Sequence, residues 1–156
     1  MSLPQEVASS YQTLVESGNI RYVSLPAAAV GIAAISDAGG TNAWDWSAYV
    51  QIAAAAAIAD PSWLCGILFH TGVVETHYGE LGIAIGAGGV EVDLAEIPFV
   101  MGIPSAVGVA VALPTWLAHP IKINGTPRLA VRIRKDTAAS LAGGTLKLIL
   151  AEAIGA

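Results

Sequence analysis

Residues 128–134 constrain this chain most. They read Arg128-Leu129-Ala130-Val131-Arg132-Ile133-Arg134, with Leu129, Val131 and Ile133 at alternate positions and arginines on the other side. A period of two belongs to a strand with one buried face. Six of the seven Lys and Arg residues lie between Lys122 and Lys147, while ten of the twelve Asp and Glu residues precede Ile97. No Asp, Glu, Lys or Arg occurs between Ile97 and Ile121. A β-rich chain with charges separated by sign is expected to sit against neighbours, its basic strand facing an acidic patch of another subunit.

At 156 residues the chain is about one domain. Only 12% of it is charged against 54% apolar, where soluble domains carry roughly 25% charged residues. The excess is mostly alanine. A surface of small side chains, completed by partners, is the expected consequence. The net charge of −5 opposes a general nucleic-acid binder. Cys65 is the single cysteine and sits in an apolar run, Trp63-Leu64-Cys65-Gly66-Ile67-Leu68, so it reads as a buried thiol with no intrachain disulfide.

No basic region followed by an apolar stretch opens the chain, so no targeting segment is expected. The uncharged run 46–59 is short for a membrane span of about 20 residues. The run 97–121 contains Pro98, Pro104, Pro114 and Pro120, which oppose a lipid-spanning helix.

Residues 4–17 form the one helical candidate, with Val7, Tyr11, Leu14 and Val15 on a stripe. Strands are expected at 20–25, 30–35, 48–59, 64–70, 80–85, 90–97, 107–113, 121–123, 128–135 and 145–152. Between them stand turn formers such as Asp60-Pro61, Gly86-Ala87-Gly88-Gly89 and Asn124-Gly125. Within 48–59 the alanines 53–57 leave a helix open as an alternative. Many short strands at this spacing predict an all-β fold, an antiparallel β-sandwich or a barrel, preceded by a short N-terminal helix or arm at 1–18, with the main domain at 19–156.

Few residues suggest chemistry. Gly86-Ala87-Gly88-Gly89 follows a strand but precedes another strand with Glu91 and Asp93, so it reads as a hairpin or corner and not a phosphate loop. His70, Glu75, His77 and Glu80 have metal-ligand chemistry, yet a polar loop at 71–79 explains them more simply. His119 has no obvious partner. Glu91 and Asp93 would share a strand face about 7 Å apart, where a solvated or interface face is preferred to a carboxylate hydrolase. Trp44 and Trp46 would share a face if extended and, with Tyr49, form either a core anchor or a surface for sugar or a partner. Arg132 and Arg134 share a face that suits acids across a subunit boundary. The expected catalytic residues, metal sites and cofactors are none.

From Trp46 to Ile154 the chain resembles small β-sandwich structural proteins of tailed-bacteriophage virions, such as head decoration (cement) proteins. The resemblance is carried by Gly82-Ile83-Ala84-Ile85-Gly86-Ala87-Gly88-Gly89-Val90-Glu91, Ile97-Pro98-Phe99, Pro120-Ile121-Lys122-Ile123-Asn124-Gly125-Thr126, Arg128-Leu129-Ala130-Val131-Arg132-Ile133 and Leu146-Lys147-Leu148-Ile149-Leu150. It covers about two-thirds of the chain and implies a jelly-roll-like sandwich, a symmetric oligomer and no catalytic site. The expected role is a capsid decoration protein in the virion, assembled in the host cytoplasm. Its partners would be the major capsid protein, other virion subunits and copies of itself, a trimer being favoured, with neither nucleic acid nor membrane. The alternative is a tail- or fibre-associated carbohydrate-binding module. The interface candidates are Tyr11, Leu14, Trp44, Trp46, Tyr49, Arg128, Arg132 and Arg134.

Overall fold

The computed structural model describes residues 11–13, 15–27, 42–70, 77–101, 114–137 and 145–154. Among the described residues eight strands run in the order β1 (Ile20–Leu25), β2 (Val50–Ala53), β3 (Ser62–His70), β4 (His77–Ile85), β5 (Val92–Met101), β6 (Pro114–Ile123), β7 (Leu129–Lys135) and β8 (Thr145–Ala153). Residues 11–13 and 15–17 are helical. The expected strands at 30–35 and 107–113 lie outside the described residues, as do residues 1–10.

The strands form two four-stranded sheets, ordered β1-β8-β3-β6 and β2-β7-β4-β5. The pairs β4·β5, β3·β6, β2·β7 and β1·β8 are antiparallel and nested. The pattern is one long hairpin wound so that successive pairs fall in alternate sheets. This is the jelly roll, an antiparallel sandwich of two Greek keys. A hairpin joins β4 to β5 through Gly86-Ala87-Gly88-Gly89, the segment expected to turn. Gly86 at φ 121° and Gly89 at φ 85° supply backbone angles that a side chain would disfavour.

The core lies between the sheets. Leu64, Ile67, Leu146, Leu148 and Leu150 of the first sheet meet Leu81, Ile83, Leu129, Val131 and Ile133 of the second, all at most 1% exposed. Each such side chain contributes about 1.5–3 kcal/mol by leaving water. A smaller cluster covers the outer side of the first sheet. There Trp63, Cys65 and Ala151 are buried beneath Tyr11, Ile20 and Ala153. Tyr11 thus packs the helical turn onto the sandwich.

Several boundaries moved. Residues 48–59 are neither one strand nor a helix. β2 ends at Ala53, and Ala57 N–H donates to Ala54 C=O in a turn whose Ala56 sits at φ 64°. Val90 and Val92 do not point inward, being 69% and 66% exposed. A register shift in the β4·β5 pair, where Ile83 faces Ala95 but Ala84 faces Asp93, inserts Leu94 and resets the alternation. The uncharged run 97–121 ends β5 and supplies most of β6, which begins at Pro114, earlier than expected. Among the described residues no helix is long and apolar enough to cross a membrane.

Gly66 gives a direct test of the packing. A Cβ there would lie 2.7 Å from Thr115 O and 3.4 Å from Trp116 Cε3, so a neighbouring strand backbone would have to move. Gly66→Ala should lower stability by about 1–3 kcal/mol, as overpacking does. Gly88→Ala, which meets open space, should leave the urea midpoint nearly unchanged.

Candidate functional site

The outer side of the second sheet gathers most of the candidate residues. β7 is flanked by β2 and β4, and its register against β4 places Arg134 opposite Glu80 and Arg132 opposite Gly82. Arg134 donates from Nε and Nη2 to Glu80 Oε2. Arg132 reaches over Gly82 to β5, where Nη2 lies 2.5 Å from Asp93 Oδ2 and 3.9 Å from Glu96 Oε1. Arg128 Nη1 bonds Glu91 Oε1 at 2.9 Å and Gly86 C=O at 3.2 Å, while its Nε bonds Gln51. All three arginines thus meet acids of their own chain. The expectation that this basic strand faces acids of another subunit is corrected accordingly. Charges remote in sequence become neighbours because the winding sets β7 beside the hairpin that carries the acids.

Aromatic rings roof this ladder. The segment 44–49 runs beside β7, with Trp44 N–H donating to Lys135 C=O and Ser47 N–H to Ile133 C=O. Trp46 lies between two guanidinium groups, 4.3 Å from Arg132 and 4.5 Å from Arg134, and Tyr49 lies 4.9 Å from Arg132. Tyr49 O–H donates to Asp93 Oδ1 at 2.6 Å. Burial and that bond push its phenol up to about 12. Gly82 floors the arrangement, since a Cβ there would meet Arg132 Cγ at 2.9 Å and Trp46 at 3.4 Å. Gly82 was missed as a site residue; its signal was a glycine inside a strand.

Trp44 departs from the expected shared face. Its φ of 67° breaks the extended backbone before Trp46; Trp44 lines a cleft, while Trp46 lies on Arg132 and Arg134. A bulky side chain rarely adopts this angle. Asn42 N–H and Nδ2 both donate to Asp45 Oδ2, and Asp45 N–H donates to Asn42 C=O, which fixes the turn. Trp44 is 49% exposed, and beside it Tyr78 and Val100 are 56% and 66% exposed. Together with Gly79, Glu80, Pro98 and Phe99 they line an open cleft of about 420 Å³. Tyr78 and Glu80 join the site through β4, which begins at His77 inside the supposed polar loop.

The other candidates scatter. Tyr11 packs on the first sheet and donates to, or accepts from, Tyr22 at 2.6 Å. Leu14 lies outside the described residues. Glu91 and Asp93 do not act as a pair: Glu91 folds back to Gly89 N–H and Arg128, while Asp93 serves Arg132 and Tyr49. His77 binds Asp136 at 2.9 Å, on the second sheet, whereas His70 belongs to the first; Glu75 lies outside the described residues. No metal-binding group of three appears among the described residues. Cys65 is buried, and burial pushes its thiol up.

Comparison with protein-family models and with curated proteins finds no match. Among solved structures the chain is similar to the infectious bursal disease virus Gx strain, at 12% identity and a TM-score of 0.36, covering 87% of this chain and 34% of that one. It is also similar to the VP2 subviral particle of the same virus, at 12% identity and a TM-score of 0.34, covering 85% and 32%. The chain spans about a third of the length of those chains. The strand order itself makes the fold a jelly roll.

Two measurements test this face. Glu91 is held below its ordinary value of 4.5, first by its own backbone N–H and then by Arg128 and Gly89 N–H. A lowered folded value means its contribution is present above pH 4.5 and is lost as pH falls through the folded value. Glu91→Gln should therefore flatten the acid limb of the stability–pH curve. Arg132→Met and Trp46→Leu, combined in a urea-denaturation double-mutant cycle, should show a coupling of about 0.5–2 kcal/mol.

Proposed function

We propose that this chain is a virion structural protein, a capsid decoration (cement) protein of the tailed-bacteriophage kind, which stabilises a shell by binding its assembled state. The jelly roll supports this reading, since it serves viral capsid proteins, alongside lectins and cupins. The observation that carries it is an uncovered aromatic patch on the outer side of the first sheet. Tyr22 and Trp116 are 52% and 55% exposed and meet edge to face with ring centroids 6.0 Å apart. Val15, on the neighbouring helical turn, is 43% exposed. Rings left in water on a sheet face suit a partner's apolar surface.

The opposite face, neutralised by its arginine ladder, is free to point away from the shell. A homo-oligomer, a trimer in this reading, would present several first-sheet patches at once and gain avidity for the major capsid protein without new contacts. The arm at residues 1–18 is the proposed clasp on the lattice. The role is mechanical, with no catalytic step: binding only the intact shell raises its stability by mass action.

Shells prepared without this protein provide the test. Added protein should cosediment with them and raise their disruption temperature. The double variant Tyr22→Ser with Trp116→Ser should keep its own unfolding temperature and lose shell binding by about ten-fold or more. A protein that stays a dilute monomer and ignores shells would overturn the reading.

A further inference from the structure

We propose that the cleft between Trp44 and Tyr78 is a binding site for a neutral saccharide. Its two rings stand exposed on the outer side of the second sheet, away from the patch assigned to the shell. Sugar rings stack their C–H faces on aromatic rings, and a cleft with two of them offers such a platform. Pro98, Phe99 and Val100 add apolar lining.

Polarity enters at one place, Glu80. Arg134 directs both of its hydrogen bonds to Oε2 of that carboxylate, so Oε1 takes none among the described residues. An acceptor fixed in orientation by an arginine, and neutralised by it, suits a hydroxyl group. A cationic ligand would find the carboxylate already paired, and an anion would meet it directly. The volume of about 420 Å³ falls in the range of small-molecule sites, roughly 300–1,000 Å³.

The backbone supplies an independent observation. Trp44 is held at φ 67° by the Asn42–Asp45 turn and by the bond to Lys135 C=O. Core packing does not explain this conformation, because the indole is half in water. Strained, pinned residues of this kind cluster at ligand sites. The conformation presents the ring ready-made, which lowers the ordering cost of binding. Trp46 and Tyr49 do not belong to this platform, because Arg132 occupies them.

The full chain should be screened on an array of neutral and sialylated oligosaccharides, and each hit titrated by tryptophan fluorescence. Binding of a neutral oligosaccharide is expected. Trp44→Ala and Tyr78→Ala should each weaken it about ten-fold or more, the scale of a lost ring contact. Both variants should keep the wild-type unfolding temperature and shell binding. Should Trp44→Ala fail to fold, Tyr78→Ala carries the same comparison. No bound glycan on the array, binding confined to sialylated glycans, or affinity unchanged in Tyr78→Ala would overturn the proposal. So would a Trp44→Ala protein that disperses its oligomer while glycan binding persists, since the cleft would then be a subunit contact.

Discussion

The register of β7 against β4 decides what both sides of the second sheet become. In the observed register Leu81 faces Ile133 and Ile83 faces Val131, both toward the core. The same pairing sets Glu80 opposite Arg134 and leaves Gly82 as the gap across which Arg132 reaches β5. A slip of one residue would turn arginines into the core and leucine into water. Burial and charge pairing therefore select the same register, and their agreement makes it specific.

The arginine ladder has a modest energetic role. Ion pairs in contact with water contribute little on their own, commonly about 0–1 kcal/mol. Trp46 changes the setting by covering one side of two guanidinium groups. Arg132 Nε is consequently buried without a hydrogen-bond partner among the described residues. The indole and phenol faces provide the compensating attraction. Once acids and arginines neutralise one another, little charge is left to steer partners on that face. Trp44 and Tyr78 remain exposed there.

Exposed aromatics occur on the outer sides of both sheets. On the first sheet Tyr22 and Trp116 continue a row that begins with the buried Trp63 and passes through Tyr11, whose ring centroid is 6.2 Å from that of Trp63. This row is broad and apolar. At the β4·β5 side of the second sheet Trp44 and Tyr78 enclose a cleft with a fixed carboxylate. Breadth suits a protein surface, whereas concavity with one oriented polar group suits a small ligand.

The strands of this protein were legible because period-two alternation and turn residues are local signals. β1, β7 and β8 follow them within a residue or so, and Gly86 to Gly89 turns where its glycines require. Bulges were not legible, since the insertion of Leu94 depends on how β5 meets β4. The site was legible only in its residue types. Trp46, Tyr49, Arg132 and Asp93 could be named as candidates, but neither their mutual stacking nor the joining of Tyr78 to Trp44 has a sequence spacing. By itself the sequence determined which face of each regular strand leaves water, because that choice is made by neighbours two positions apart. Tertiary structure alone decided that the basic strand finds its acids at home, because nested winding pairs β7 with β4, more than forty residues upstream, and no local interaction records that encounter.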